Sequence, residues 1–415
     1  MSEAAATQSS VERWSRSHRV SFAAILAATM ATGTFPAYAL GVLGPAIIEE
    51  FRLSRLELGL ATTIFFLVGG SLSLAAGNAV DRIGAKSVML SSFLILGVAL
   101  VGIAAAPTYA VLMGFAGLAG LALAVGNPVT NKLVAVHLPP GRRGLTMGTK
   151  QAGVQFGAFL AGAVLAPFAV FVGWRVALAF SAVIPFVLAV AAAFVITRDV
   201  KRRPATETRD RLPTGVRWLA GYAFLMGSGV ATLSAYLPLY LVERTGATAA
   251  EAGAAVAALG FVGVVSRVGW GWGSERLVSF SVPLVILSVG AVVGTALVIS
   301  ADSLGFWIAW PAAIVLGATA VTWNAVGMLA VLSVSGREAA GRASGAVLFG
   351  FYIGFVASPV LFGWVVDVSG SYSLAWALVG ASFAAAAAVA VGWRWTERPA
   401  HQRREPSVAQ DGSVE

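Results

Sequence analysis

Twelve apolar stretches separated by short polar breaks run through most of the chain. They lie at about Val20 to Ile48, Leu56 to Asn78, Ser87 to Ala105, Tyr109 to Val136, Leu145 to Val170 and Val176 to Ile196, then Val216 to Val242, Ala250 to Trp272, Val282 to Ile299, Leu304 to Val334, Ala343 to Val366 and Leu374 to Trp393. Each is near or above the ~20 residues that an α-helix needs to cross ~30 Å of hydrocarbon. Lipid offers no partner to a backbone N–H or C=O, so such runs satisfy themselves as helices. The pattern predicts an all-α membrane protein with twelve transmembrane helices. One connection is long and hydrophilic, from Thr197 to Gly215. It divides the chain into two six-helix bundles, residues 20–197 and 216–395, joined by a linker at 198–215 and flanked by tails at 1–19 and 396–415.

The two bundles are sequence relatives. A shift of 194 residues matches Glu49 with Glu243, Glu57 with Glu251, Gly59 with Gly253, Gly69 with Gly263, Gly77 with Gly271, and Asp81-Arg82 with Glu275-Arg276. A shift of 197 matches Gly144, Gly148, Gly153 and Gly157 with Gly341, Gly345, Gly350 and Gly354, and Asn127 with Asn324. Such repeats predict pseudo-symmetric bundles, an architecture of transporters with a site at the repeat interface. The glycines themselves read as surfaces for close helix packing.

Composition agrees with the pattern: 58% of the 415 residues are hydrophobic and 11% charged, with a mean hydropathy of +0.83. The net charge of +9 would suit a nucleic-acid binder, but its distribution follows the membrane. With the N-terminus placed inside, Arg52, Arg55, Arg175 and Arg244 fall outside, and Lys132, Lys150 and Arg267 fall within the runs. The remaining 21 of the 28 Lys and Arg fall on the inner side. This bias predicts cytoplasmic termini in a plasma membrane, here a bacterial inner membrane. The first apolar run is too long for a signal core and is expected to be a retained helix.

Arg267 stands within the eighth run. A guanidinium is costly in hydrocarbon and stays charged, so a deep arginine aims at a water-filled cavity, an anion or an acid. Its neighbours Gly263 and Gly271 would leave room beside it. All 19 acids fall in loops, tails or helix ends. Deep cations without deep acids point to anionic cargo. Lys150 and Gln151, near the start of the fifth run, are candidates to attract or orient that anion, whereas Lys132 reads as an interfacial anchor. The candidate polar and aromatic lining comprises Tyr38, Asn127, Asn131, Tyr236, Tyr240, Trp323, Asn324 and Tyr352. Enzyme chemistry has little support: there is no cysteine, the three histidines lie in tails or a loop, and neither a phosphate loop nor an H-E-x-x-H motif occurs. No metal and no cofactor is expected.

The loop after the second run reads Gly77-Asn-Ala-Val-Asp81-Arg82-Ile-Gly84-Ala-Lys86, with a shorter echo at Gly271-x-x-x-Glu275-Arg276. This resembles the signature of the major facilitator superfamily, with Ala85 at one usually basic position. The resemblance covers nearly the whole chain. It implies alternating access around a central cavity lined by runs one, four, seven and ten, which favours Tyr38 and Trp323-Asn324. Tyr38-Ala-Leu-Gly41 through Glu57 and Arg267-x-x-x-Gly271-x-x-x-Glu275 look like monocarboxylate and oxalate/formate transporters, which implies that Arg267 binds substrate carboxylate. The match departs in two places. No lysine or arginine lies between Ala343 and Val366, where the oxalate exchangers carry a second cation, and no acid lies between Ala252 and Ser274 to pair with Arg267.

The sequence therefore predicts a secondary carrier for a small organic anion, a monocarboxylate, acting as a monomer in the lipid bilayer with protons as a candidate coupling ion. Gly77, Asp81, Arg82, Glu275 and Arg276 are expected to form a cytoplasmic gate or latch. The alternative is multidrug efflux by proton antiport, because Gly157, Gly162 and Pro167 resemble part of an antiporter signature.

Overall fold

The computed structural model describes residues 16–138, 143–196, 213–274 and 279–402. Among them, eleven helices are long and apolar enough to cross a bilayer. The N-terminal bundle holds α1 (Arg16–Val42), α2 (Arg55–Ser71 and Ser73–Ile83), α3 (Ala85–Ala105), α4 (Tyr109–His137), α5 (Arg143–Leu160 onward to Val172) and α6 (Trp174–Ser181 and Val183–Val195). The C-terminal bundle holds α7 (Thr214–Thr245), α8 (Ala249–Ser274), α9 (Ser281–Leu304), α10 (Phe306–Ser335), α11 (Arg342–Ser369) and α12 (Tyr372–Gln402). Helical backbone runs unbroken from Trp323 to Ser369, through the end of α10 and all of α11. In α2 the helix passes through Leu72, which stays right-handed and bonds to Val68 O at 3.1 Å, so its two pieces make the twelfth span.

The duplication is visible in the packing. Gly153 and Gly157 of α5 lie against the backbone of Ala27 and Ala31 on α1, and their repeats Gly350 and Gly354 of α11 lie against Ala220 and Phe224 on α7. The matched acids Glu57 and Glu251 also share one job. Ser54 and Glu57 form a reciprocal cap at the start of α2, and Thr248 and Glu251 do the same for α8. Gly84, in the signature loop, takes φ +96° to turn α2 into α3, a conformation that a side chain would oppose. Large apolar side chains on the outer helices face away from the core; Phe171 and Phe194 are 84% and 85% exposed, as suits a lipid-facing belt.

Two apolar runs that look continuous in sequence are not regular helices. In α5 a π-turn spans Ala161–Leu165 just before Pro167, whose missing N–H would otherwise interrupt the ladder. In α10 the helix stops at Ala318 and resumes at Trp323. The intervening Thr319-Ala-Val-Thr322 carries three β-branched residues. Its hydroxyls bond to backbone, Thr319 to Val315 O at 2.6 Å and Thr322 to Gly317 O at 2.8 Å, in place of the regular pattern. The break releases the carbonyls of Ala318 and Val321 for other partners.

The bundles meet at the end that carries Arg55. There Arg55 pairs with Glu243 at 3.0 Å, and Asp367 of α11 accepts the backbone N–H groups of Arg55 and Leu56 at 3.2 and 2.8 Å, capping α2 from the other bundle. Deeper in, Thr63 donates to Val356 O at 2.8 Å and the rings of Phe66 and Phe355 touch with centroids 4.3 Å apart. Arg175 with Glu50 and Arg244 with Asp302 make similar pairs, so three of the four arginines that run against the charge bias hold a structural partner.

Candidate functional site

A narrow cavity with about 70 Å³ of free interior lies between the bundles. Its wall draws on α1 (Thr34, Tyr38), α2 (Phe66), α4 (Asn127), α5 (Gln151, Gln155), α7 (Ser234), α8 (Arg267), α10 (Val321, Trp323, Asn324) and α11 (Phe351, Tyr352, Phe355). Among the described residues no Asp or Glu lines it.

Arg267 is 8% exposed and faces this cavity. Among the described residues no acid holds it. Its Nε and Nη2 donate to Val321 O at 3.1 and 2.8 Å, and its Nη1 donates to Gln151 O at 2.9 Å. The broken helix thus supplies one acceptor and α5 of the opposite bundle supplies the other. Trp270, three residues on, takes the second released carbonyl, Ala318 O, at 3.1 Å. A guanidinium has five N–H donors, so three bonds leave one N–H on Nη1 and one on Nη2. Such a pair matches the two oxygens of a carboxylate.

Beside it, Gln155 is buried, reaching Tyr38 (3.4 Å) and Val321 O (3.5 Å). Opposite these polar groups stands an aromatic wall. Trp323 packs on Phe351 at 5.4 Å, Phe351 on Phe355 at 4.3 Å, and Phe355 on Phe66. Asn324 Oδ1 is buried with no hydrogen-bond partner among the described residues, an acceptor left for something else to fill.

Of the residues that the sequence nominated, Arg267, Gln151, Tyr38, Asn127, Trp323, Asn324 and Tyr352 share this cavity wall. Two do not. Tyr236 is fully buried at the Arg55 end, its hydroxyl 2.6 Å from Arg55 O and 2.9 Å from Pro359 O, where it joins α7 to α2 and α11. Lys150 stands behind the wall, fully buried, with Nζ 2.5 Å from Asn131 Oδ1, 2.9 Å from Thr130 Oγ1 and 3.3 Å from Asn127 Oδ1. It neither reaches the interface nor lines the cavity.

Tyr240, among the wider lining candidates, instead bonds to Val298 O of α9 at 2.9 Å. Lys132 is no simple anchor, for it pairs with Asp81 at 2.8 Å. That pairing keeps Asp81 within its own bundle. Arg82 is exposed, Gly77 has open space beside it, and Glu275 and Arg276 lie outside the described residues. The room expected beside Gly263 is taken by Gln155 and Val321, each 3.0 Å from where a Cβ would stand.

Sequence reading passed over Gln155, Ser234, Phe66, Phe351 and Phe355. Gln155 follows Gln151 by four residues and so shares its helix face, a usable signal. The carbonyl of Val321 had no side-chain signature, because only the break in α10 exposes it.

Comparison with known proteins fits this architecture. The description of the Major Facilitator Superfamily matches residues 20–354. The "Probable nitrate/nitrite transporter NarK2" of Mycobacterium tuberculosis is 31% identical over 283 residues, covering 64% of this chain and 68% of the relative. The 4-hydroxybenzoate transporter PcaK of Pseudomonas putida is 25% identical over 288 residues, covering 57% and 62%. Among solved structures, a bacterial homologue of the human lysosomal transporter Spinster, described as inward-facing and occupied, superposes with a TM-score of 0.77 at 16% identity, covering 92% of this chain and 98% of that one. The relatives are transporters, not enzymes. Twelve spans in two repeated bundles, a cavity between them and a family match over most of the chain lead to one conclusion: this protein belongs to the Major Facilitator Superfamily.

Proposed function

We propose that the protein is a secondary carrier for small organic monoanions, monocarboxylates in particular, moved by alternating access of the central cavity. The observation that carries this reading is Arg267, a buried guanidinium in the cavity wall with an N–H to spare on each terminal nitrogen and, among the described residues, no carboxylate on it. The anion docks on that fork. Gln151, Gln155, Asn127 and Tyr38 frame its polar end, and the Trp323 to Phe355 wall covers a flat apolar body, with Asn324 Oδ1 free to accept from a hydroxyl or amine. With a single cation lining the cavity among the described residues, a monoanion is balanced and a dianion is not. Nitrate, nitrite and 4-hydroxybenzoate, the cargoes named for the relatives above, are all monoanions, which supports this reading over drug efflux.

The two bundles, residues 20–197 and 216–395, move about the site as units. Their contacts at the Arg55 end hold one arrangement closed there. By the charge bias, that end faces outward, and both termini lie in the cytoplasm of a bacterial cell, beneath its inner membrane. A latch of Asp81 and Arg82 with Glu275 and Arg276, next to Gly77, belongs to the opposite arrangement, since here Asp81 is held by Lys132. Each chain contains a whole site, so a monomer suffices.

The test is a thermal-shift screen of the purified protein with acetate, benzoate, 4-hydroxybenzoate, nitrate and oxalate, followed by exchange of labelled hits in proteoliposomes. Monocarboxylates should raise the melting temperature, because a ligand at about 100 times its Kd adds ~2.7 kcal/mol. Arg267→Lys should weaken binding by roughly 2–5 kcal/mol through loss of the two-pronged contact. A ligand that binds Arg267→Lys as tightly as the parent overturns the site, and failure of every anion to bind or exchange overturns the function.

A further inference from the structure

One buried titratable group has no part in the site described above. Lys150 is 0% exposed, and its three oxygen neighbours, Asn127, Thr130 and Asn131, are all neutral side chains of α4. Buried lysines ordinarily find a carboxylate, as Lys132 does with Asp81 one residue along from Asn131. Among the described residues, the surroundings of Lys150 supply no acid. On α4 the charged or titratable groups are Lys132, already paired, His137, whose Nδ1 lies 3.0 Å from Leu133 O, and Tyr109, at the Arg55 end of the helix, where its hydroxyl donates to Glu57 O. From α1, nothing charged occurs between Arg19 and the end of the helix, where the titratable group is Tyr38, held to Gln155; on α5 Arg143 starts the helix and nothing charged follows Lys150. From α8 comes only Arg267, which holds the carbonyl of Gln151, the next residue.

We infer that Lys150 is a proton-binding site coupled to the anion site: its amine takes up a proton when an anion occupies the cavity and releases it when the anion leaves. This rests on the anion-carrier reading and adds the ion that drives it. Unlike a guanidinium, an amine can exchange its proton. Three oxygens satisfy the three N–H donors of the ammonium form. The neutral amine needs one donor in return, and each partner can become one, Thr130 by turning its hydroxyl and the asparagines by rotating their amides. A carboxylate partner would lack that freedom and would fix the charge. The site therefore accommodates both states without orphaning a polar group.

Electrostatics supplies the coupling. In the empty carrier no negative charge answers a protonated Lys150 among the described residues. An anion in the cavity, beside the Asn127 that both lines it and holds the amine, supplies one and favours the proton. Linkage makes the effect mutual, so the proton also tightens the anion. Both the empty site with neutral lysine and the site loaded with anion and proton carry one net positive charge. The long contact to Asn127, itself in the cavity wall, marks the side from which the amine is reached. Water in the cavity gives the proton on one face of the membrane and receives it back on the other.

The experiment uses the full chain, with benzoate and 4-hydroxybenzoate as probes. Calorimetry of binding at neutral pH in buffers of different ionisation enthalpy counts protons bound with each anion. The expected count approaches one for the parent and falls to zero for Lys150→Met and Lys150→Arg. In proteoliposomes both variants should keep exchange of labelled benzoate but lose its accumulation driven by a pH gradient, and Lys150→Arg should exchange independently of pH. Benzoate exchange without proton uptake in the parent overturns the inference and leaves the carrier reading standing. Undiminished pH-driven accumulation in Lys150→Arg overturns it as well. If neither probe binds or exchanges in the parent, both readings fall together. Should a variant fold poorly, the proton count on the parent protein still decides.

Discussion

The two ends of the molecule use the same kind of residue in opposite ways. At the Arg55 end a Cβ on Gly41 would stand 1.9 Å from Ser234 O, and one on Gly59 would stand 2.4 Å from the Tyr236 hydroxyl, so the bundles touch almost backbone to backbone. At the Asp81 end, Gly77, Gly148 and Gly345 have nothing within 4 Å of such a Cβ. Gly41 and Gly59 are thus used for contact between the bundles, whereas Gly77, Gly148 and Gly345 stand open among the described residues. Gly148 and Gly345 are repeats of one another, so the idle positions are duplicated as faithfully as the packed ones. On the carrier reading, the idle set serves the arrangement in which the Asp81 end closes.

That contrast can be broken by the largest of the expected effects. Gly41→Val should destabilise the described arrangement by about 1–3 kcal/mol, the usual cost of overpacking, read as a lower melting temperature and greater labelling of a cysteine placed at the Arg55 end. Because the native chain has no cysteine, such a reporter is clean. Gly345→Val should leave stability within about 0.5 kcal/mol and yet abolish transport, since only the missing arrangement needs that space. Equal effects of the two substitutions on stability would erase the distinction between the ends.

A smaller change sharpens it. Asp367→Ala removes the cap that α11 places on two N–H groups of α2, and should cost roughly 0.5–2 kcal/mol of closure at the Arg55 end, seen as faster labelling there. No change in labelling would mean that the cap does not hold the bundles. The smallest effect belongs to the partly exposed pair of Arg55 and Glu243, whose side chains are 39% and 24% exposed. Glu243→Gln should shift the balance by only about 0.2–1 kcal/mol, and less in high salt, where screening weakens it further. A shift as large as that of Gly41→Val would reverse the ranking of packing over charge.

The candidate site was legible where one side chain carries the signal. Arg267 announces itself as a charge in an apolar run, and Tyr38, Asn127, Gln151, Trp323, Asn324 and Tyr352 follow from polarity or aromaticity within the spans. Tyr236 looks identical in sequence to a lining residue. Its hydroxyl meets Arg55 O and Pro359 O because α7 presents that face to the Arg55 end, a matter of helix rotation that residue type does not encode. Lys150 was readable as a deep cation, but not as one surrounded by three neutral oxygens of a neighbouring helix.

Sequence by itself determined the spans, their division into two repeated bundles, the charge bias of the loops and the presence of one unpaired deep arginine. Those properties are local and additive: hydropathy sums along a run, and a guanidinium stays charged wherever it sits. Tertiary structure alone decided that α10 breaks, that the freed Val321 carbonyl holds Arg267 with an N–H to spare on each terminal nitrogen, and that Lys150 lies behind the cavity wall. Each of these depends on which faces of separate helices meet, and that is set by packing across the whole membrane domain rather than by any single stretch of chain.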